Sequence, residues 1–328
     1  MLWSQDHIIV AGMEARKEGK TRVTNFDLGD GKADYVYFAH NIKDHSLAVY
    51  LQDDWQFAES WRLNVGARMD DSKLNASHVS PRVALIWQAT PELTIKAISG
   101  KAFRSPVQYE SVYGLDAALQ DDDETEEYLS NTSLEHESII THELVLHWQP
   151  SKNFEWVNSF YHYKLTDLIG QVETDDGDLQ YQQIGDIKAY GWETSAKYLL
   201  QNNWTMSANL NVQHSEDDLG KRLAVSPVWV AKVMIDGPIV KDKLYLAWET
   251  QASDSYHQEW FGETFNSPSN VVSNLALTAL TPIKGLDLQM RINNVFDRDF
   301  DTANSSDSPI VRMPNAGINA RITMRYNF

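Results

Sequence analysis

From Gly317 to Phe328 the chain alternates without one exception: Ile318, Ala320, Ile322, Met324, Tyr326 and Phe328 are apolar, and the residues between them, Arg321 and Arg325 included, are not. Successive side chains of a β-strand point to opposite faces, so a period of two specifies a strand that is apolar on one side and wet on the other. The same pattern runs through Trp61–Asp70, Trp204–Gln213 and Leu286–Asn293, and no segment shows convincing helical spacing. Carried along the chain, it predicts fourteen strands at about 6–18, 45–57, 61–72, 79–89, 92–104, 136–149, 153–165, 181–199, 203–216, 222–236, 242–255, 269–281, 284–297 and 317–328. Most are far longer than the usual five or six residues.

Short and long connections alternate between these strands. The short ones are Ala58-Glu59-Ser60, Thr90-Pro91, the segment around Pro150-Ser151-Lys152, Gln201-Asn202, the stretch from Gly237 to Lys241, and Pro282-Ile283. The long ones are 19–44, 73–78, 105–135, 166–180, 217–221, 256–268 and 298–316, of which 73–78 and 217–221 are only moderately long. Tight turns at one end and excursions at the other are the plan of a transmembrane β-barrel. Six of the 11 tryptophans (Trp55, Trp61, Trp87, Trp148, Trp156 and Trp204) flank the short turns, where an amphipathic ring belongs at a headgroup boundary. Arg62, Arg68, Lys96, Glu143, Glu249, Asp287, Arg291 and Arg325 fall on the polar face, which requires a hydrated interior because a dry core could not hold so many charges. The fold expected is all-β: an antiparallel meander outer-membrane β-barrel of about 14 strands.

Composition removes other classes. Lys and Arg number 28 against 46 Asp and Glu, a net charge of -18, the reverse of what neutralises phosphates, so no nucleic-acid partner is expected. With no cysteine among 328 residues there are no disulfides and no thiolate metal sites or nucleophiles. A mean hydropathy of -0.43 with no long apolar run excludes a membrane-spanning helix and leaves a barrel open. The first residues, Met1 to His7, lack the basic and apolar regions of a signal peptide.

In order along the chain stand Tyr50-Leu51-Gln52-Asp53-Asp54-Trp55, Val65-Gly66-Ala67-Arg68-Met69-Asp70, Ser80-Pro81-Arg82, Lys101-Ala102-Phe103-Arg104-Ser105-Pro106 with Tyr109-Glu110, Tyr190-Gly191-Trp192-Glu193 and Asn293-Asn294-Val295-Phe296-Asp297-Arg298-Asp299-Phe300. This series resembles the barrel motifs of TonB-dependent outer-membrane receptors, importers of ferric siderophores, haem, cobalamin and some glycans. The resemblance covers essentially the whole chain and implies that residues 1–328 form the C-terminal part of a 22-stranded barrel, its last fourteen strands. The plug domain, the first eight strands, the energy-coupling box and the signal peptide have no counterpart in this sequence. One local departure is Ala316-Gly317-Ile318, where such families often have Gly-Arg entering the last strand. The function implied is uptake of a ferric siderophore or similar iron complex, energised through a TonB complex that acts by way of the plug, with outer-membrane lipid and lipopolysaccharide as further partners. A passive or structural barrel, or a non-transporting remnant, is the alternative.

No catalytic constellation is present: there is no Gly-x-Ser-x-Gly and no phosphate loop, and His136-Glu137 lacks the second His of a helical zinc motif. No enzyme activity, cofactor or metal centre is expected. Asp121–Glu127 reads as a solvated charge run rather than a cation site, and Asp175-Asp176-Gly177-Asp178 as a hairpin turn rather than a calcium loop. The ligand-binding candidates are Tyr256, His257, Trp260 and Phe261 in one outer loop, with Tyr113 and Tyr181 as weaker ones, because aromatic rings beside a His can hold a planar ligand. Phe103, Arg104 and Pro106 carry a family motif near the outer rim and are read as architectural.

Overall fold

The computed structural model describes residues 2–4, 6–17, 19, 21–29, 32–73, 77–112, 128–260, 263–303, 310 and 312–328; for 2–4, 21–29, 32–42, 128 and 260 the description is of the backbone. Fifteen strands form one sheet: β1 (Leu2–Ser4), β2 (His7–Lys17), β3 (His45–Ala58), β4 (Trp61–Ser72), β5 (His78–Thr90), β6 (Leu93–Arg104), β7 (Glu137–Ser151), β8 (Phe154–Thr166), β9 (Ile187–Leu199), β10 (Thr205–Asp217), β11 (Trp229–Val240), β12 (Leu244–Ser253), β13 (Asn270–Leu280), β14 (Leu286–Asn293) and β15 (Asn319–Tyr326). Each pairs antiparallel with its sequence neighbour in the wall, a simple meander. The fourteen long strands are those the alternation predicts, and β1 adds a three-residue strand ahead of them. No pairing joins β1 to β15 among the described residues, so the sheet has two open edges.

Register sorts the side chains. Leu288 faces Met324 and Met290 faces Ile322 on one face, while Asp287 faces Arg325 and Arg291 faces Arg321 on the other. In β3 and β4, Leu51 pairs with Ala67 and Trp55 with Leu63, alternating with Tyr50 against Arg68 and Asp54 against Asn64. The polar face is laced by paired side chains: Arg68 reaches Asp70 on its own strand at 2.8 Å and Glu14 across the sheet at 3.1 Å, Lys232 reaches Glu249 on the next strand at 2.8 Å, and the Ser159 hydroxyl donates to Glu143 on the next strand at 2.7 Å. These charges satisfy one another in a wet interior, whereas the apolar face has nothing to offer them.

The short turns end in aromatics, as expected. Trp61 stacks on Trp87 at 5.1 Å and 6°, the chain of rings continues through Phe57 and Trp55 to His7, and Trp148, Trp156, Phe154 and Tyr198 form a second group. Asn202 and Asp242 take φ of 58° in two of these turns, a left-handed backbone that Asn and Asp tolerate. Register shifts between Trp55 and Ala58, Gln88 and Thr90, Trp148 and Ser151, and Pro238 and Val240 place bulges at this end.

Four boundaries need correction. The strand expected at 181–199 begins at Ile187, because Leu179–Gln183 turns away to pair with Ile169–Glu173 and Gly185, at φ 122°, breaks the run. The strand expected at 222–236 runs over 229–240, since Val225 at φ 54° and Pro227 lead residues 223–228 out of the wall; the short connection therefore falls after Val240 rather than at Gly237. The strand expected at 284–297 ends at Asn293, where Asn294 (φ 50°) and Asp297 (φ 48°) make a turn. The chain is also not wholly strand, as Gln108–Val112 form a short helix, α1. Asp175–Asp178 is a turn as expected, closed by Thr174 N–H donating to the Asp178 carbonyl at 2.7 Å.

Candidate functional site

The long connections build two groups on the outer rim. The first stands on the ends of β6 and β7. Arg104, the last residue of β6, lies opposite Glu137, the first of β7, and forms a two-pronged pair with it, one prong at 2.7 Å from Nη2 to Oε1. Its Nη1 meets both Glu110 oxygens at 3.0 and 3.1 Å, and Glu110 accepts the Val107 N–H at 2.8 Å. Glu137 in turn accepts the N–H of Ile169 at 2.8 Å. One guanidinium therefore ties α1, the wall and the hairpin Ile169–Gln183 together, a use of Arg's fixed fork that Lys could not copy. Pro106, between Arg104 and Glu110 in the chain, is buried. Phe103 packs at 4.3 Å on His78 and 5.1 Å on His136. Tyr181 is held in the same group, with its ring 6.0 Å from Tyr109 and its carbonyl accepting from Asn131 Nδ2 at 2.9 Å. Two-residue parallel pairing of Tyr128–Leu129 with Leu179–Gln180 completes the joint.

The second group is the hairpin Tyr256–Trp260 with Glu263–Ser267. The Tyr256 hydroxyl accepts the Ala303 N–H at 3.2 Å, from the neighbouring hairpin Asp301–Ala303 with Arg312–Pro314. The His257 carbonyl accepts the Val225 N–H at 2.8 Å, and Glu259 pairs with Lys221. That carboxylate holds the Lys221 ammonium above its ordinary value. Tyr256 and His257 thus lie where three connections meet, while Tyr181 belongs to the first group. Trp260 closes the hairpin by its backbone, and Tyr113, Phe261 and the acidic run 121–127 lie outside the described residues. Below the rim the polar face carries a concavity of about 500 Å³ lined by Ser159, Glu193, Asn209, Asn211 and Lys232, among others.

Sequence reading missed Glu110, Glu137, His78 and Tyr109 as parts of a joint. Glu110 and Tyr109 stood in a motif, but nothing in their spacing brings Glu110 back onto Arg104 or joins them to Glu137 and Tyr181 beyond residues 113–127. The ensemble offers aromatic rings, paired charges and amide groups over a hydrated wall, which suits capture and passage of a polar ligand; among the described residues no group of three or more His, Cys, Asp or Glu could hold a metal ion.

A long-stranded antiparallel meander with an apolar face, an aromatic base and an elaborated rim defines an outer-membrane barrel wall. The chain belongs to the TonB-dependent receptor-like β-barrel family, whose model matches residues 2–295. It is a protein of the bacterial outer membrane. It is 24% identical over 239 residues to the iron-regulated outer membrane virulence protein of Vibrio cholerae, covering 66% of this chain and 33% of that protein. It is 23% identical over 287 residues to the probable TonB-dependent siderophore receptor PiuA of Acinetobacter baumannii, covering 78% and 37%. Its fold matches the FrpB iron transporter of Neisseria meningitidis with a TM-score of 0.75 at 15% identity, over 99% of this chain and 53% of that one. The chain spans about a third of the length of these curated relatives.

Proposed function

We propose that residues 1–328 form the C-terminal part of the barrel of an outer-membrane receptor that imports a ferric siderophore or similar iron complex, energised through TonB in the complete protein. The observation that carries this reading is the match of nearly the whole wall to a receptor family whose similar members bear names of iron-regulated, siderophore-receptor and iron-transport proteins. The rim and the wall support it: Tyr256 and His257 stand at a three-way junction of the connections, and the polar face carries a concavity, surfaces that can hold a planar or polar chelate. The two open edges support the assignment to part of a larger wall, because unpaired N–H and C=O groups in lipid cost several kcal/mol each and further strands would satisfy them.

The test is uptake of radiolabelled iron by an outer-membrane host lacking its own siderophore receptors and expressing the receptor that contains this chain, with and without a functional TonB complex. Uptake that needs TonB and falls when Tyr256 and His257 are replaced by Ala agrees with the proposal. TonB-independent leakage of small solutes would favour a passive pore, and no uptake of any iron complex would favour a structural barrel.

A further inference from the structure

Four arginines stand on β4 to β6, and register puts all of them on the polar face. Three have carboxylate partners: Arg62 meets Asp54 at 3.4 Å, Arg68 meets Asp70 at 2.8 Å and Glu14 at 3.1 Å, and Arg104 is held by Glu110 and Glu137. Arg82 is exposed and forms no hydrogen bond or ion pair among the described residues. The row across the sheet that contains it runs Gln52, Gly66, Arg82, Gly100, Thr141 and Tyr163, and none of these is an acid. Its nearest neighbours along β5 on the same face are Ser80 and the buried Ala84.

Arg82 therefore rises from a floor of small residues. Glycine occupies the facing position on both adjacent strands, so in this row no other side chain stands between Gln52 and Thr141, which are roughly 19 Å apart at about 4.8 Å per strand. Packing of the wall does not demand both glycines. A Cβ on Gly66 would lie 3.1 Å from the Leu51 carbonyl oxygen, a close approach, whereas one on Gly100 would meet nothing nearer than 3.5 Å. The bare position at Gly100 keeps open the side of Arg82 that faces Thr141. Arg82 is eight residues from Thr90 at the short-turn end of β5. At about 3.3 Å per residue and about 40° of tilt that is roughly 20 Å up a wall about 25 Å tall, in the outer half of the interior.

We propose that Arg82 is an anion site of the barrel interior that takes a carboxylate in a two-pronged pair. The fixed fork of a guanidinium matches the two oxygens of a carboxylate, and its charge discriminates against neutral ligands. Carboxylates are what this wall supplies to its other three arginines; at Arg82 it supplies none and leaves the approach clear. Gln52 and Thr141, at the two margins, have amide and hydroxyl groups to bond the rest of an oxygen-rich ligand. The inference rests on the reading of this chain as the wall of an iron-complex receptor. On that reading the carboxylate belongs either to a carboxylate-bearing ferric chelate on its way inward, which narrows the substrate class, or to an acidic side chain of the receptor outside residues 1–328.

The experiment takes the receptor that contains this chain, in mild detergent, and follows phenylglyoxal labelling of its arginines by mass spectrometry with citrate, with the uncharged triethyl citrate, or with neither. Arg104, tied to two carboxylates, is the slow reference. Fast labelling of Arg82 that citrate slows by about tenfold and triethyl citrate does not agrees with the proposal and gives the carboxylate to a ligand. Labelling of Arg82 as slow as that of Arg104 without either probe, with a lower unfolding temperature in Arg82→Gln and an intermediate one in Arg82→Lys, agrees with it and gives the carboxylate to the receptor itself. In both cases Gly100→Leu, which crowds the row and leaves the charge in place, should weaken the protection, with heat-modifiable gel migration reporting whether each variant is folded. Fast labelling that citrate does not slow, equal slowing by triethyl citrate, or slow labelling with Arg82→Gln as stable as wild type would overturn the proposal. None of these readouts needs iron uptake, so failure here is distinct from failure of the receptor reading.

Discussion

Gly191 and Tyr161 show how single residues set the wall's geometry. A Cβ on Gly191 would lie 2.6 Å from the Tyr161 hydroxyl and 2.6 Å from the Val212 carbonyl oxygen, so the ring lies flat over the glycine on the polar face. Tyr50 covers Gly12 in the same way. Because the second obstacle at Gly191 is backbone and cannot swing aside, Gly191→Ala should destabilise by about 1–3 kcal/mol in denaturant unfolding in bilayers. Gly100→Ala, whose new methyl would meet nothing nearer than 3.5 Å, should stay within about 0.5 kcal/mol of wild type. Neighbouring acids divide by face too: Asp54 turns to Arg62 at 3.4 Å on the polar side, while Asp53, opposite Val65, turns to the apolar side and pairs with His7 at 2.8 Å. A carboxylate on that side needs such a partner, because lipid supplies none.

At the scale of elements, the turn between β14 and β15 is held by its own side chains. The buried Asn294 donates from Nδ2 to the Arg298 carbonyl at 2.8 Å and accepts the Arg298 N–H at 2.9 Å, and Asp297 accepts the Ile318 N–H at 2.7 Å at the approach to β15. Asn294→Ala should therefore cost about 1–3 kcal/mol by removing two hydrogen bonds to the Arg298 backbone, and hydrogen exchange of β15 should accelerate ahead of β6–β10. The hairpin Ile169–Gln183 has a pH-dependent anchor. Lys164 holds Asp186 below its ordinary value of 3.8, helped by the Asp167 N–H and against the effect of burial. A carboxylate depressed in the folded state stabilises fully above that value and loses the contribution as pH falls below it. Protease nicking of residues 167–186 should be flat from neutral pH down to about 4, rise in more acid solution, and be high throughout in Asp186→Asn.

For the molecule as a whole, the two faces meet different solvents, and that difference is measurable. Ile322 lies midway along β15 on the apolar face, opposite Met290, and its neighbour Thr323 lies on the polar face opposite Gln289. Ile322→Arg should cost about 2–4 kcal/mol if it faces the bilayer midplane. Thr323→Arg should cost far less, since the polar face already carries Arg321 and Arg325. Equal costs measured in bilayers would mean that the faces are assigned wrongly.

Alternation, turn spacing and aromatic placement were local quantities, and they determined the strand set, the antiparallel meander and the apolar face before any coordinates, because a period of two leaves each residue one choice of face. The turn at Asp175–Asp178 was legible too, because Asp-Gly is a local turn signal and Gly177 takes the positive φ, 92°, that such a turn needs. What the sequence could not decide was where a strand leaves the wall: residues 181–183 run straight into 187–199 with no turn signal stronger than Gly185, and only the pairing with Ile169–Glu173 draws them away. Nor could it show that Arg104 joins Glu110 to Glu137, that Tyr181 meets Tyr109, or that Tyr256 reaches Ala303. Those contacts cross long connections whose closure depends on the whole sheet, and Lys101, Lys164 and Lys188 share one row with Ile140 only because register sets β6, β7, β8 and β9 side by side. Side-chain facing is a property of neighbours in sequence; adjacency across strands is a property of the fold, decided by backbone hydrogen bonds between segments that no local pattern relates.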